Sequence, residues 1–241
     1  MNDSIRAYWQ DYLKYTGARE IAQGVFLTKY LELSPEYPVV ICRCGQERLI
    51  MLSEFLWEGK DALEAYTKDM TVTQVLDLFL EGVSYTPDSA VFMGLFGELK
   101  TADLPEGMTG RKLRPILDQG ALSSLKKSCT QKEAAAGSVS LEDVWPYGIF
   151  SGRKLACAAS VWLWGDRLAD LGVITRPEFR GKGLGRAAVA QVAQTAIDAG
   201  RLPLYRCEDT NPASRALARS LGFEAFAFEE GAVVHYPEEE E

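Results

Sequence analysis

The stretch Arg176-Pro177-Glu178-Phe179-Arg180-Gly181-Lys182-Gly183-Leu184-Gly185-Arg186 constrains the fold more than any other part of the chain. An apolar run, Leu168 to Thr175, leads into it, and an alanine-rich run of helical character, Ala187 to Ala199, follows. The order predicted is strand, tight glycine turn, helix. Such a turn aims several backbone N–H groups at one point, and the new helix adds the positive end of its dipole. Gly181, Gly183 and Gly185 remove the Cβ atoms that would hold an anion away. Arg180, Lys182 and Arg186 bring positive charge. The segment, including Leu184, has the makings of a diphosphate cradle; the bland alternative is a glycine-rich turn with solvated arginines.

Two familiar cradles are excluded by spacing. A Walker loop requires Ser or Thr after its Gly-Lys pair, whereas Gly183 follows Lys182 and cannot ligate magnesium. The dinucleotide fingerprint is G-x-G-x-x-G, whereas here the glycines are spaced G-x-G-x-G and Arg186 holds the sixth place. The pattern Arg180-x-x-Gly183-x-Gly185, after "ADLGVITRPEFRG", resembles the acyl-CoA loop of the GNAT superfamily of N-acetyltransferases. That resemblance implies an α/β (α+β) fold, a mixed twisted sheet flanked by helices. It also implies acetyl-CoA as co-substrate and an amine as acceptor.

Composition narrows the partners. The chain has 241 residues, 47% of them apolar, enough for one large or two small domains with a sizeable core. No apolar run reaches the roughly 18 residues of a membrane span, and "MNDSIRAYWQDYLKYTG" is too polar for a secretory signal. Cys42, Cys44, Cys129, Cys157 and Cys207 are an odd number without a disulfide framework, so a cytoplasmic home is expected. Cys42-x-Cys44 lacks a second ligand pair and His235 is the sole histidine, so no metal is expected. Residues 1–110 hold 9 Lys and Arg against 17 Asp and Glu; residues 111–241 hold 17 of each. Without Glu238–Glu241, a tail expected to be solvated and frayed, the second half is at +4. A locally basic half in a chain of net charge −8 suits an anionic co-substrate and argues against nucleic acid.

The turn-rich stretch Lys100–Gly110, "KTADLPEGMTG", marks a boundary between a supporting α/β domain (1–105) and a catalytic domain (110–241). In the second, strands are expected at Arg111–Leu117, Tyr147–Ser151, Lys154–Trp164, Leu168–Thr175 and Leu202–Cys207. Helices are expected at Asp118–Cys129, Gln131–Ala136, Gly183–Ala199 and Pro212–Leu221. Phe223–Glu230 and Val233–Tyr236 are expected to close a hairpin through Gly231. This element order also resembles the GNAT fold. In the first half, helices are expected at Ser4–Tyr15 and Val72–Leu80, and strands at Tyr37–Cys44, Arg48–Leu52 and Ala90–Phe96. That half is either a degenerate second copy lacking the cradle or an unrelated cap.

The resemblance assigns roles to particular residues. The strand Leu171–Thr175 would splay from its neighbour, with Val173 and Thr175 pairing the pantetheine arm and a backbone N–H at Val173 or Ile174 facing the thioester oxygen. Asp170, a charge inside an apolar strand, stands where the family places an acid that serves as general base; aspartate being short, a relaying water is expected. The alternative is an Asp with its carboxylate in solvent. Glu208 and Asp209 follow a strand, at the edge where α/β sheets place ligands, and Glu208 is the second catalytic candidate; a plain charged loop is the alternative. Asn211, Pro212 and Gly222 mark the ends of a helix, and the resemblance adds contacts from Asn211 and Ser214 to the pantetheine arm. The Tyr that many family members use to protonate the departing thiolate is absent, its place taken by Ala218; Ser214, Tyr205 and water remain. Cys207 has no nearby histidine to activate it as a nucleophile. Trp162 and Trp164 share a strand face near Trp145, either as packing or as an acceptor wall.

The function expected is acetyl transfer from acetyl-CoA to a primary amine of a small molecule in a ternary complex, by a monomer or homodimer. "LYRCEDTNPASRALARSLGFEAF" and the preceding α/β half resemble a two-domain subgroup that includes zwittermicin A resistance acetyltransferases. A CoA-binding sensor without turnover and an enzyme acting on a protein amine are the rival readings.

Overall fold

A computed structural model describes residues 3–237; the Glu238–Glu241 tail lies outside them. The first elements are α1 (Asp3–Thr16), β1 (Arg19–Ala22), β2 (Val25–Lys29), β3 (Val39–Cys44), β4 (Glu47–Leu52), α2 (Glu54–Trp57), α3 (Val72–Leu76) and β5 (Ser84–Leu95). There follow β6 (Met108–Lys112), α4 (Gln119–Lys127), α5 (Gln131–Ala136), β7 (Val144–Ser151), β8 (Lys154–Trp164) and β9 (Leu168–Thr175). The last are α6 (Leu184–Asp198), β10 (Leu202–Glu208), α7 (Pro212–Ser220) and β11 (Phe223–His235). The fold is a mixed α/β one, mostly antiparallel, with helices flanking the strands.

The chain forms two compact units. Of the described residues, 3–92, 208–210 and 225–237 make the first; residues 93–207 and 211–224 make the second. The cut thus falls at Phe92, upstream of the turn-rich stretch, and the last strand belongs to the first unit.

In the first unit the strand order is β1-β2-β4-β3-β11-β5. One face buries Val39, Ile41, Ile50 and Leu52 with Val72, Val75 and Leu76 of α3. Elsewhere in this unit α1 buries Tyr8, Trp9 and Tyr12, with Tyr8 5.4 Å from Phe226 and Tyr12 5.2 Å from Phe92, ring to ring. A capping box, in which Thr71 and Gln74 satisfy each other's backbone N–H, starts α3. The helix ends at Leu76 and only turns continue to Leu80, so it is shorter than the apolar pattern suggests. The hairpin expected through Gly231 does not form. β11 runs unbroken past Gly231, which pairs with Val40. This glycine serves space, not a turn: a Cβ there would overlap the Tyr37 hydroxyl.

In the second unit the order is β10-β9-β8-β7-β6, with only β10 and β9 parallel. The first strand is Met108–Lys112, not Arg111–Leu117. The buried Asp118 carboxylate takes the Arg111 guanidinium at 2.6 and 2.8 Å and the Arg114 N–H at 2.7 Å, which turns the chain into α4. On one face of β7–β9, Leu122 and Leu125 of α4 pack with Phe150, Leu155, Ala158 and Ile174. Against these strands α6 also packs, through Ala187, Ala188, Val189, Val192, Ala193 and Ala196. Alanines let a helix approach a sheet closely; at Gly185 a Cβ would stand 2.9 Å from Leu217 Cδ1 of α7 and in ordinary contact, 3.5 Å, with Thr175 Oγ1 of β9.

Candidate functional site

The site is built where β9 leaves its parallel neighbour. β8 pairs with β9 through Thr175, opposite Cys157. β10 pairs with β9 only at Leu168, Ala169 and Asp170. Past Asp170 the two strands part, although both continue. Beyond this point one edge of β9 is left unpaired by β10, an edge of the kind that takes an added extended chain by ladder hydrogen bonding, although at its end the Thr175 carbonyl already accepts from Arg180 Nε at 3.1 Å. Alternation turns Val173 and Thr175 toward α6 and Ile174 into the core against α4. Thr175 Oγ1 donates to Cys157 Sγ at 3.2 Å, and burial pushes that thiol up to about 12, so Cys157 is an inert packing group.

The end of β9 is fixed by Arg176, which is buried. Its Nε donates to the Leu155 carbonyl at 3.2 Å and its Nη2 to Ser124 Oγ at 3.1 Å. A single turn, Pro177–Phe179, then leads into the glycines. Gly181 and Gly183 have φ of +72° and +78°, which side chains other than glycine's rarely tolerate. No atom lies within 4 Å of where a Cβ would stand on either. Gly183 occupies the N-cap position of α6, and no side chain caps the helix. Ala187 N–H makes the first intrahelical bond, to the Gly183 carbonyl, so the amides of Leu184, Gly185 and Arg186 precede the helical ladder. Open space, successive amides and a fifteen-residue helix dipole fit a diphosphate.

The three basic side chains are not equivalent. Lys182 is exposed, its Nζ 5.2 Å from the Phe179 ring centroid. Arg186 Nη2 donates to the Thr101 carbonyl at 2.9 Å, tying down the segment that the sequence marks as turn-rich. Arg180 folds back. Its Nη1 meets Glu133 Oε1 at 2.7 Å, its Nε the Thr175 carbonyl at 3.1 Å, and its Nη2 lies 3.7 Å from Cys129 Sγ. Glu133 also closes the capping box of α5 with Thr130, and the hydrogen bond from Arg180, then those from Thr130, hold its carboxyl down at about 2. The structure therefore joins the Arg180 side chain to the α4–α5 turn.

Asp170 lies beside the point of divergence, its side chain 15% exposed. Arg206 Nη2 is 3.7 Å from Asp170 Oδ2, and the Arg206 guanidinium lies 5.1 Å from the Trp164 ring centroid. Trp162 opposes Asp170 across the strand pair and is 56% exposed, while Trp164 is buried. The two indoles share a face, as expected, but only one is packing. The same face carries Ser160, whose hydroxyl donates to Asp143 Oδ2 at 2.5 Å. This pins the loop after α5. Its Ser138 carbonyl lies so close to β9 that only glycine fits at 172.

On α7, Asn211 Oδ1 accepts the Ser214 N–H at 3.0 Å, the expected cap. The Ser214 hydroxyl is hydrogen-bonded to the buried Tyr205 phenol, which burial above all raises to about 12. Two of the three proton donors the sequence offers thus form one pair. Ala218 is fully buried. Glu208, the last residue of β10, belongs to the first unit. Sequence reasoning missed Arg206 and Glu133. Arg206 had a signal, a charge in the apolar strand "LPLYRCE" with the parity of Leu204; Glu133 had none beyond its capping box.

With this geometry in hand, the GNAT acetyltransferase family model matches residues 146–227, spanning β9, the glycine turn, α6 and α7. Residues 146–227 are similar to a GNAT acetyltransferase domain. No curated protein matches the chain significantly. Among solved structures, the fold is similar to that of a GNAT-family acetyltransferase of Novosphingobium aromaticivorans (TM-score 0.50, 22% identity, 65% of this chain and 69% of that one). It is also similar to a Drosophila protein (0.52, 20%, 67% and 56%) and to a GCN5-related N-acetyltransferase of Sphaerobacter thermophilus (0.52, 16%, 68% and 57%). The chain therefore spans little more than half of the last two. The match to the GNAT acetyltransferase model over residues 146–227 supports an acyltransferase. Among the described residues no helix is long and apolar enough to cross a membrane, and no group of His, Cys, Asp or Glu is placed to hold a metal ion.

Proposed function

We propose that the protein transfers an acetyl group from acetyl-CoA to the primary amine of a small polar molecule, by direct attack in a ternary complex. The observation that carries this reading is the divergence of β9 and β10 at Asp170 above an uncapped glycine turn. Acetyl-CoA, when bound, supplies an acyl group already activated as a thioester. The amides from Gly181 to Arg186 hold its diphosphate, with Lys182 adding charge. The open edge of Leu171–Thr175 aligns the pantetheine arm, and a backbone N–H at Val173 or Ile174 stabilises the oxygen that gains charge. Asp170 binds the incoming amine and takes its proton, directly or through one water. Ser214, hydrogen-bonded to Tyr205, returns a proton to the departing sulfur. The subgroup of zwittermicin A resistance acetyltransferases remains a proposal on sequence resemblance.

Release of free CoA thiol in the presence of a panel of amines tests the reading. Asp170→Asn is expected to lower kcat by about a hundredfold or more while leaving CoA affinity within about twofold. Equal rates for the two proteins at saturating acceptor remove Asp170 from the reaction.

A further inference from the structure

Two opposite charges meet where β9 and β10 part. Asp170 opposes Leu204, so Arg206, two residues further, projects from the same face as Asp170. The guanidinium is 3.7 Å from the carboxylate and lies over the buried Trp164 ring. Stacking on an aromatic holds a planar cation in one orientation. Arg206 keeps 39% of its side chain exposed, and Trp162 beside Asp170 is 56% exposed. The face thus offers a fixed cation, a carboxylate and an aromatic wall within one small patch.

An amine acceptor without other charge fits this patch poorly. Asp170 attracts its ammonium form, but the guanidinium beside Asp170 repels it. An acceptor that carries a carboxylate next to its amine meets complementary charge at both ends. A guanidinium is also the side chain whose planar fork best matches a carboxylate. We infer that the acceptor is an amino-acid-like zwitterion, its carboxylate bound by Arg206 and its amine placed at Asp170. The inference rests on the reading of this face as the acceptor site and adds the class of molecule it takes. Arg206 is on this account an acceptor-binding residue, and Trp164 the residue that positions it.

The test is calorimetric titration of CoA-loaded protein with the twenty L-amino acids, their amides and their decarboxylated amines. At least one amino acid is expected to bind about tenfold or more tightly than its amide and its amine, the strength of a charge-assisted hydrogen bond. Arg206→Met, which keeps volume over Trp164 and removes charge, is expected to erase the difference, while Arg206→Lys keeps part of it. No preference for any amino acid in the wild-type protein overturns the inference, whatever the variants do. A preference that survives in folded Arg206→Met overturns it as well. Thiol release with the same panel separates this inference from the reading it rests on. Release as fast with amides and amines as with amino acids sinks the zwitterion and leaves acetyl transfer standing. Preferential binding without release from any compound sinks acetyl transfer and leaves the zwitterion site.

Discussion

Gly183→Ala and Gly200→Ala are the same backbone perturbation at opposite ends of α6. The two glycines have φ of +78° and +73°, and nothing lies within 4 Å of a Cβ built on either. A left-handed backbone costs an L-residue about 1–2 kcal/mol. In a protein of this size each kcal/mol lowers Tm by roughly 2–4 °C, so both variants should melt roughly 2–8 °C below wild type. Their effects on binding should differ. Gly183 lies in the cradle, where a methyl group fills the open space and displaces an anion from the amides. Loss of one hydrogen bond to a charged group is worth about 1.5–3 kcal/mol, or about ten- to a hundredfold in Kd. Gly200 ends the helix, its N–H bonded to the Ile197 carbonyl at 2.8 Å, and touches no part of the site. Scanning calorimetry reads the first effect and titration with CoA the second. Matched losses of Tm with Gly183→Ala binding CoA within about twofold of wild type would refute the cradle. So would an equal loss of affinity in Gly200→Ala.

Other perturbations test the frame around the site. Gly172→Ala sets a Cβ 2.5 Å from the Ser138 carbonyl oxygen and 2.8 Å from that of Gly137, both backbone; it should destabilise by about 1–3 kcal/mol in urea unfolding, and an unchanged midpoint would show that the loop after α5 yields freely. Asp118 is held at about 2 chiefly by the hydrogen bond from Arg111, and Glu133 at about 2 chiefly by that from Arg180, against ordinary values of 3.8 and 4.5. Both pKa values are depressed on folding, so the stability they contribute is present above the ordinary values and lost as pH falls toward about 2. Asp118→Asn and Glu133→Gln should each flatten the fall of unfolding free energy across that window, and curves parallel to wild type would show that neither pair stabilises the fold.

Local pattern carried much of the second half. Leu168–Thr175, Lys154–Trp164 and Gln131–Ala136 have the bounds their sequences suggest, because each is a periodic run closed by turn formers. Glycines were harder. Gly231 looks like a turn between two strands, but its role is steric and depends on Tyr37, far away in sequence. The β1–β2 hairpin went unread, since Arg19–Ala22 is short and exposed throughout. In the site, the glycine turn was legible because its chemistry lies in the backbone of one contiguous segment. Arg180 shows the limit of that legibility. Its charge pointed to the diphosphate, yet its side chain is joined to Glu133, 47 positions away in sequence. Arg206 stood out within its own strand, but its place beside Asp170 needed the register of a parallel pair.

The most direct test is a crystal structure of the protein grown with acetyl-CoA. The account predicts diphosphate oxygens within hydrogen-bonding distance of the amides between Gly181 and Arg186, and the acyl carbonyl on the β9 edge beyond Asp170, on the side β10 leaves open. A diphosphate bound elsewhere, or a pantetheine arm that avoids the gap between β9 and β10, would contradict it.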